Sequence, residues 1–283
     1  MNYFRPACLS DALDVLQKHQ VAILAGGTDF FPSKGEQPIE VDILDVTKIT
    51  EFNDIIEHDT GYRIGANVTW SQLQKADLPP VFDGLKLAGR EVGSVQIQNT
   101  GTLVGNICNA SPVADGVPAL LTLQTKVEIS SPAGMRLVDL GAFIQDIRKI
   151  DLNTNEIVSA LHVPKCAPDT KSSFLKLGSR KYLVISIAMI AVVIHVEKDV
   201  IVDVKIAVGA CSKVAQRLTG LESELIGQNI SVLLQDDVVR PEHLSNLTPI
   251  DDVRGTGAYR LDAVVELCRR TLLDALEVNH VSP

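Results

Sequence analysis

Residues 98–116, QNTGTLVGNICNASPVADG, constrain the fold of this chain more than any other stretch. They hold Gly101, Gly105 and Gly116, three asparagines, two threonines and a serine, with no lysine or arginine. Glycine and asparagine are poor helix formers that favour turns and caps, so the run is not expected to be an ordinary helix. Leu103, Val104, Ile107, Val113 and Val117 would nevertheless tie it to a core. A buried loop rich in backbone N–H groups and short hydroxyl or amide side chains suits wrapping a polar anion such as a diphosphate.

A second run of the same kind, Ala25-Gly26-Gly27-Thr28-Asp29, follows the apolar segment 21–24, which reads as a short buried strand. Adjacent glycines after a strand permit positive φ and close approach of the backbone to a ligand. One such motif is more often an ordinary turn; the two runs together are the informative signal. Thr28, Thr102, Asn106 and Asn109 carry side chains that donate hydrogen bonds to phosphate, while Gly26, Gly27 and Gly105 expose backbone amides. Asp115 can cap a helix through Leu123. Lys176 lies in an acid-free stretch, 170–196, and alternates with Leu175 and Leu177. On a strand it therefore points away from their side, towards either a site or solvent.

The 283 residues are 46% hydrophobic and 22% charged, an ordinary balance for a soluble chain of one large or two modest domains. A net charge of −9 without a basic stripe, and a single Trp with four Tyr, argue against nucleic-acid binding. Cys8, Cys108, Cys166, Cys211 and Cys268 show no CxxC spacing, so no iron–sulfur or zinc site is encoded locally. They read as small buried hydrophobes in a reducing compartment, with Cys108 singled out by its place in the second run. The N-terminus lacks the regions of a signal peptide, and the longest apolar run, 183–196, is too short to span a membrane. A soluble, cytoplasmic protein is expected. His162 reads as structural. No Ser–His–Asp, HExxH, P-loop or GxGxxG pattern occurs, and no catalytic acid–base pair or metal site stands out, which fits chemistry carried by a bound cofactor.

Along the chain, Ser10 is expected to cap a helix to about His19, and 41–45 forms the strand after the GG loop, giving a small βαβ-like lobe of 1–55. A second lobe begins at 62–66, and Thr69 with Gln72 fits a capping box for a helix over 70–76. A further helix follows Pro79-Pro80 and ends before Gly93, and strands at 126–130 and 156–163 close the lobe. Residues 165–172 read as a linker. Strands at 173–177, 185–197 and 200–210 then suggest a three-stranded antiparallel sheet, followed by helices at 219–227, 230–239 and 257–277.

The pair ILAGGTDF and TGTLVGNICNASPVAD resembles the two FAD-diphosphate loops of the flavin subunits of molybdenum hydroxylases, the family of xanthine and carbon monoxide dehydrogenases. LHVP at 161–164, FLKLGSRK at 174–181 and PIDDVRGTGAYR at 249–260 extend the likeness over nearly the whole chain. One departure is Val104, a side chain where relatives show glycine in GGN. The resemblance implies an α+β protein. Residues 1–164 would form a two-lobed FAD-binding domain of the p-cresol methylhydroxylase type, with lobes of about 1–55 and 56–164. Residues 172–283 would form an α+β C-terminal domain. It assigns Leu24, Ala25, Gly26, Gly27, Thr28 and Asp29 to one side of the diphosphate. Thr102, Gly105, Asn106 and Asn109 take the other side, with Ile107 near the flavin ring. Asp115 would accept from the ribityl or ribose part, Leu161 would pack on the isoalloxazine, and Lys176 would place a cation beside its N1–C2=O edge. The implied partners are a [2Fe–2S] iron–sulfur subunit and a large molybdopterin subunit, with NAD⁺ or another electron acceptor. A self-sufficient flavin reductase or oxidase, or a subunit that lost flavin, are the alternatives; Val104 is the loop feature favouring the last.

Overall fold

The structure, a computed structural model, describes residues 1–277. It divides into two units whose segments alternate along the sequence. Met1–Ala76, Ser94–Ala110 and Gln124–Lys165 make the first; Asp77–Gly93, Ser111–Leu123 and the chain from Cys166 onward make the second. The end of the expected C-terminal domain, 278–283, lies outside the described residues.

In the first unit, β1 (Tyr3–Phe4), β2 (Val21–Leu24) and β3 (Asp42–Asp45) form a parallel sheet in the order β1-β3-β2. Parallel neighbours need crossovers, supplied by α1 (Leu9–Lys18) and α2 (Phe30–Lys34). Helix α1 buries Ala12 and Leu16. Its N-cap is Cys8 rather than the expected Ser10, because Glu51 Oε1 accepts from the Leu9 N–H at 3.2 Å and satisfies the earlier turn. A second, antiparallel sheet runs β4-β5-β10-β6-β7. Its strands are β4 (Ile55–His58), β5 (Gly61–Gly65), β6 (Lys126–Ser131), β7 (Gly134–Asp139) and β10 (Ile157–Pro164). The short helix α8 (Leu140–Phe143) and a hairpin of β8 (Ile144–Asp146) with β9 (Lys149–Ile150) lie between β7 and β10.

Thr69 and Gln72 make the expected capping box at α3 (Trp70–Lys75), which buries Trp70 and Leu73. The glycine- and asparagine-rich run is not all loop: α5 (Val95–Thr100) ends in it and α6 (Leu103–Cys108) lies within it. Caps and burial override propensity here. Ser94 and Thr102 each accept from the backbone three residues on, and Leu103, Val104 and Ile107 are buried.

In the second unit, β11 (Lys171–Leu177), β12 (Ala188–Glu197), β13 (Val200–Gly209) and β14 (Gln216–Arg217) form an antiparallel sheet. The sheet has four strands, not the expected three; β14 adds only a two-residue ladder, too short to leave a pattern in sequence. Strand β11 also starts at Lys171, inside the expected linker. Helices α4 (Asp83–Glu91), α7 (Gly116–Thr122), α9 (Thr219–Leu225) and α10 (Gly257–Glu277) complete the unit. Ala188, Ile190, Val192 and Ile194 of β12 share a core with Val264, Cys268 and Leu272 of α10. Met189, on the opposite face, lies beside Gly209, against which Pro118 of α7 packs. A strand covered on both faces must read as a continuous apolar run, which accounts for 188–194; Leu183 and Ile185, ahead of the strand, are exposed. Among the described residues no helix is long and apolar enough to cross a membrane. The expected helix 230–239 is instead a 3₁₀ turn, Ile230–Leu234, which buries Leu233 but leaves Leu234 at 71% exposure, so no helical stripe is sustained.

Candidate functional site

Within the first unit the two glycine-bearing loops meet. A Cβ built on Gly26 would stand 1.9 Å from the Thr100 carbonyl oxygen and 3.0 Å from Gly101 Cα. Only glycine permits that backbone-on-backbone approach. Gly27 follows at φ +69°, turning the chain into α2. The Thr28 hydroxyl faces Gly101, 3.3 Å from where a Cβ would sit. The Trp70 N–H fastens the second loop by donating to Gly101 O at 3.1 Å.

Helix α6 then sets the remaining donors. Thr102 Oγ1 accepts from the Gly105 N–H at 2.9 Å, and Thr102 O accepts from the Asn106 N–H at 3.0 Å. The Gly105 amide, expected to be open to a ligand, is thus spent on a helix cap. Asn109 closes the helix and accepts from Arg148 Nη1 at both its carbonyl, 2.9 Å, and its side-chain Oδ1. With Oδ1 held by a cation, the Asn109 amide presents its NH₂ group, the donor half, away from Arg148. Arg148, at the tip of the β8–β9 hairpin with φ +57°, is 39 residues away, and no local pattern in sequence links it to this loop.

Leu24 is buried, Ala25 half-buried, and Asp29 exposed at the N-cap of α2 without a side-chain cap bond. Ile107 and Leu161 are fully buried; α6 packs beside β10, where Leu161 pairs with Ile64 and Val127. Burial pushes the Cys108 thiol up to about 12, so it stays protonated and inert at neutral pH. His162 Nε2 lies 2.6 Å from Glu128 Oε2. Burial alone would raise the Glu128 carboxyl, but hydrogen bonds from Arg63, Ser159 and His162 hold it at about 2. The cluster joins three neighbouring strands and reads as structural.

Asp115 and Lys176 belong to the second unit. Asp115 does not cap α7 with its side chain, contrary to expectation. Its Oδ1 accepts from Ser186 Oγ at 2.8 Å and its Oδ2 from Lys176 Nζ at 3.0 Å. Burial raises the Asp115 carboxyl above its ordinary value, while Lys176 and Ser186 counter the rise. Lys176 Nζ also donates to Glu91 O at 3.3 Å, so the ammonium sits at a fixed point with its side chain only 4% exposed. Ser186 was not expected, although a lone serine inside an apolar run was visible. Among the described residues no group of His, Cys, Asp or Glu is placed to hold a metal.

The residues fit a diphosphate-bearing cofactor. The loops pair through a glycine contact, and Thr28, Thr102, Asn106 and Asn109 are neutral hydrogen-bond donors; Asp29 is the one carboxylate in 24–29, and 98–114 has none. The model of the FAD binding domain in molybdopterin dehydrogenase matches residues 1–166, and that of the CO dehydrogenase flavoprotein C-terminal domain matches 173–275. The xanthine dehydrogenase FAD-binding subunit of Escherichia coli O157:H7 is 27% identical, over 97% of this chain and 96% of that one. The glyceraldehyde dehydrogenase medium chain of Sulfolobus acidocaldarius is 28% identical, over 93% and 94%. Carbon monoxide dehydrogenase from Hydrogenophaga pseudoflava shares the fold at a TM-score of 0.88 and 23% identity, covering 98% of this chain and 97% of that one. Quinoline 2-oxidoreductase from Pseudomonas putida 86 does so at 0.86 and 24%, with the same coverage. With both family models matching in order over an α+β chain, this protein belongs to the FAD-binding flavoprotein subunits of the molybdenum hydroxylases, a family of oxidoreductases.

Proposed function

We propose that the chain holds the FAD diphosphate between residues 24–29 and 102–109. Through that FAD it relays electrons from [2Fe–2S] clusters of a partner subunit to NAD⁺ or another acceptor, beside a large molybdopterin subunit. The observation that carries the reading is the contact of Gly26 with Thr100 and Gly101, which draws both loops to one place. The flavin supplies the redox chemistry. The chain's part is to bind and bias it: Thr28, Asn106 and Asn109 donate to the anion, and Arg148 fixes which half of the Asn109 amide faces outward.

Asp115, Leu161 and Lys176 are proposed as further contacts of the cofactor. A cation fixed by Asp115 would stabilise negative charge on a reduced flavin and raise its potential. The division into a two-lobed domain of the p-cresol methylhydroxylase type at 1–164 and a C-terminal domain at 172–283, and a cytoplasmic location, are part of the same reading.

The visible spectrum of the purified chain, alone and with its co-purifying subunits, tests it. A flavin band on this chain, with iron and molybdenum in the larger ones, is expected. Asn106→Asp places a carboxylate against the diphosphate and should lower FAD occupancy at least tenfold. Full occupancy in that variant would remove the loop assignment.

A further inference from the structure

The motif PIDDVRGTGAYR at 249–260 ends in Arg260, the fourth residue of α10, whose side chain is only 2% exposed. Neither the helix nor the core calls for a cation there. The N-terminal end of a helix disfavours positive charge, and an apolar side chain would fill a buried place without the desolvation of an ion. What a guanidinium adds is a rigid fork of donors. Nη2 donates to Asp252 Oδ1 at 2.7 Å, and Nη1 donates to two backbone carbonyls, Ile187 O at 2.5 Å and Ala210 O at 3.1 Å. Asp252 is itself fixed, accepting from the Arg254 N–H at 2.8 Å and from Arg254 Nη1 at 2.9 Å. Among the described residues the buried Nε has no hydrogen-bond partner, so the fork is oriented by its grip on Asp252 and the two carbonyls.

Both carbonyls belong to segments that hold the Asp115–Lys176 pair. Ile187 is a crossing point. Its N–H donates to Leu177 O at 2.8 Å, beside Lys176, and the residue before it is Ser186, whose hydroxyl donates to Asp115. Ala210 serves the other partner. Its N–H donates to Pro112 O at 3.1 Å, three residues ahead of Asp115, and its φ of +64° is one that alanine rarely adopts. One guanidinium thus ties down the backbone on both sides of the ion pair, and all of these residues lie in the second unit.

We propose that Arg260 is a positioning residue for the cofactor: by holding Ile187 and Ala210 it sets where the Lys176 ammonium stands, and so the potential of bound FAD. This role rests on the reading of Lys176 as the cation beside the flavin, and deepens it.

The test is the midpoint potential of FAD bound to the full chain, measured by spectroelectrochemical titration. Lys176→Gln should lower the ratio of reduced to oxidised flavin at a fixed potential about tenfold. Arg260→Lys, which keeps the charge but loses the fork, should lower it about threefold. Asp252→Asn should act in the same direction, and it replaces Arg260→Lys if that variant does not fold, since Asp252 is partly exposed. In the Lys176→Gln background neither variant should shift the ratio further. An unchanged potential in the folded variant, beside a lowered one in Lys176→Gln, would overturn the role of Arg260 alone. Equal shifts with and without Lys176 would overturn it too, because Arg260 would then not act through the lysine. Lys176→Gln without effect would remove the reading of Lys176 and this role together. Amide exchange on the chain free of FAD gives a separate readout. Ile187 and Ala210 should exchange faster in the same variant while the amides of α1 keep their rates, and unaltered exchange at both would show that Arg260 does not hold these segments.

Discussion

Gly26 shows how one missing methyl group sets a site. A Cβ there would overlap the Thr100 oxygen at 1.9 Å, so one of the two loops must move. Gly26→Ala should cost roughly 1–3 kcal/mol in urea unfolding and weaken FAD binding in a fluorescence titration. Gly220→Ala is the control: nothing lies within 4 Å of its Cβ position, and it sits in α9, where alanine favours helix by up to about 1 kcal/mol. Equal effects at both positions would show that loop contact is not what Gly26 provides.

Glu128 makes a pH prediction with a definite sign. Its folded pKa of about 2 lies below the ordinary 4.5, so the stability it contributes is present above pH 4.5. That contribution is lost as pH falls from 4.5 towards 2, and amounts to about 3 kcal/mol for this largely buried group. Glu128→Gln should flatten the acid limb of a stability-against-pH curve over that window. An unchanged limb would mean the cluster around Glu128 does not form.

At the scale of elements, α6 is the instructive case. Six residues cannot form a stable helix by propensity, least of all with a central glycine. Its Thr102 cap and the burial of Leu103 and Ile107 make it form, and in doing so they fix the direction of Asn106 and Asn109. Thr102→Ala should destabilise the chain by about 1 kcal/mol and weaken FAD binding, while Thr102→Ser restores both. Melting and flavin titration on the two variants measure it. Strand β12 shows the complementary lesson. Its apolar run was legible as a strand, but the strand starts at Ala188, two residues after Ser186, whose hydroxyl donates to Asp115.

For the whole molecule, a ligand bound only by the folded chain should raise its stability by mass action. FAD at a hundred times its dissociation constant should add about 2.7 kcal/mol, seen as a higher melting temperature, and Asn106→Asp should abolish the gain at the same FAD concentration. No shift on adding FAD to the unaltered chain would contradict the assigned cofactor.

The sequence by itself determined the parts that depend on neighbours along the chain. The strand before Gly26-Gly27, the Thr69–Gln72 box, the span of α10 and the long β-branched strands follow from period, caps and turn chemistry, which act within a few residues. The two loops were recognisable because their composition suits little else. What the tertiary structure alone decided depends on groups far apart in sequence. Arg148 reaches Asn109 across 39 residues, Lys176 meets Asp115 across 61, and β14 exists only because β13 offers it an edge. Asp115 was readable as a cap and became the counter-ion of a lysine instead. A buried cation demands a carboxylate more strongly than a helix end demands a cap.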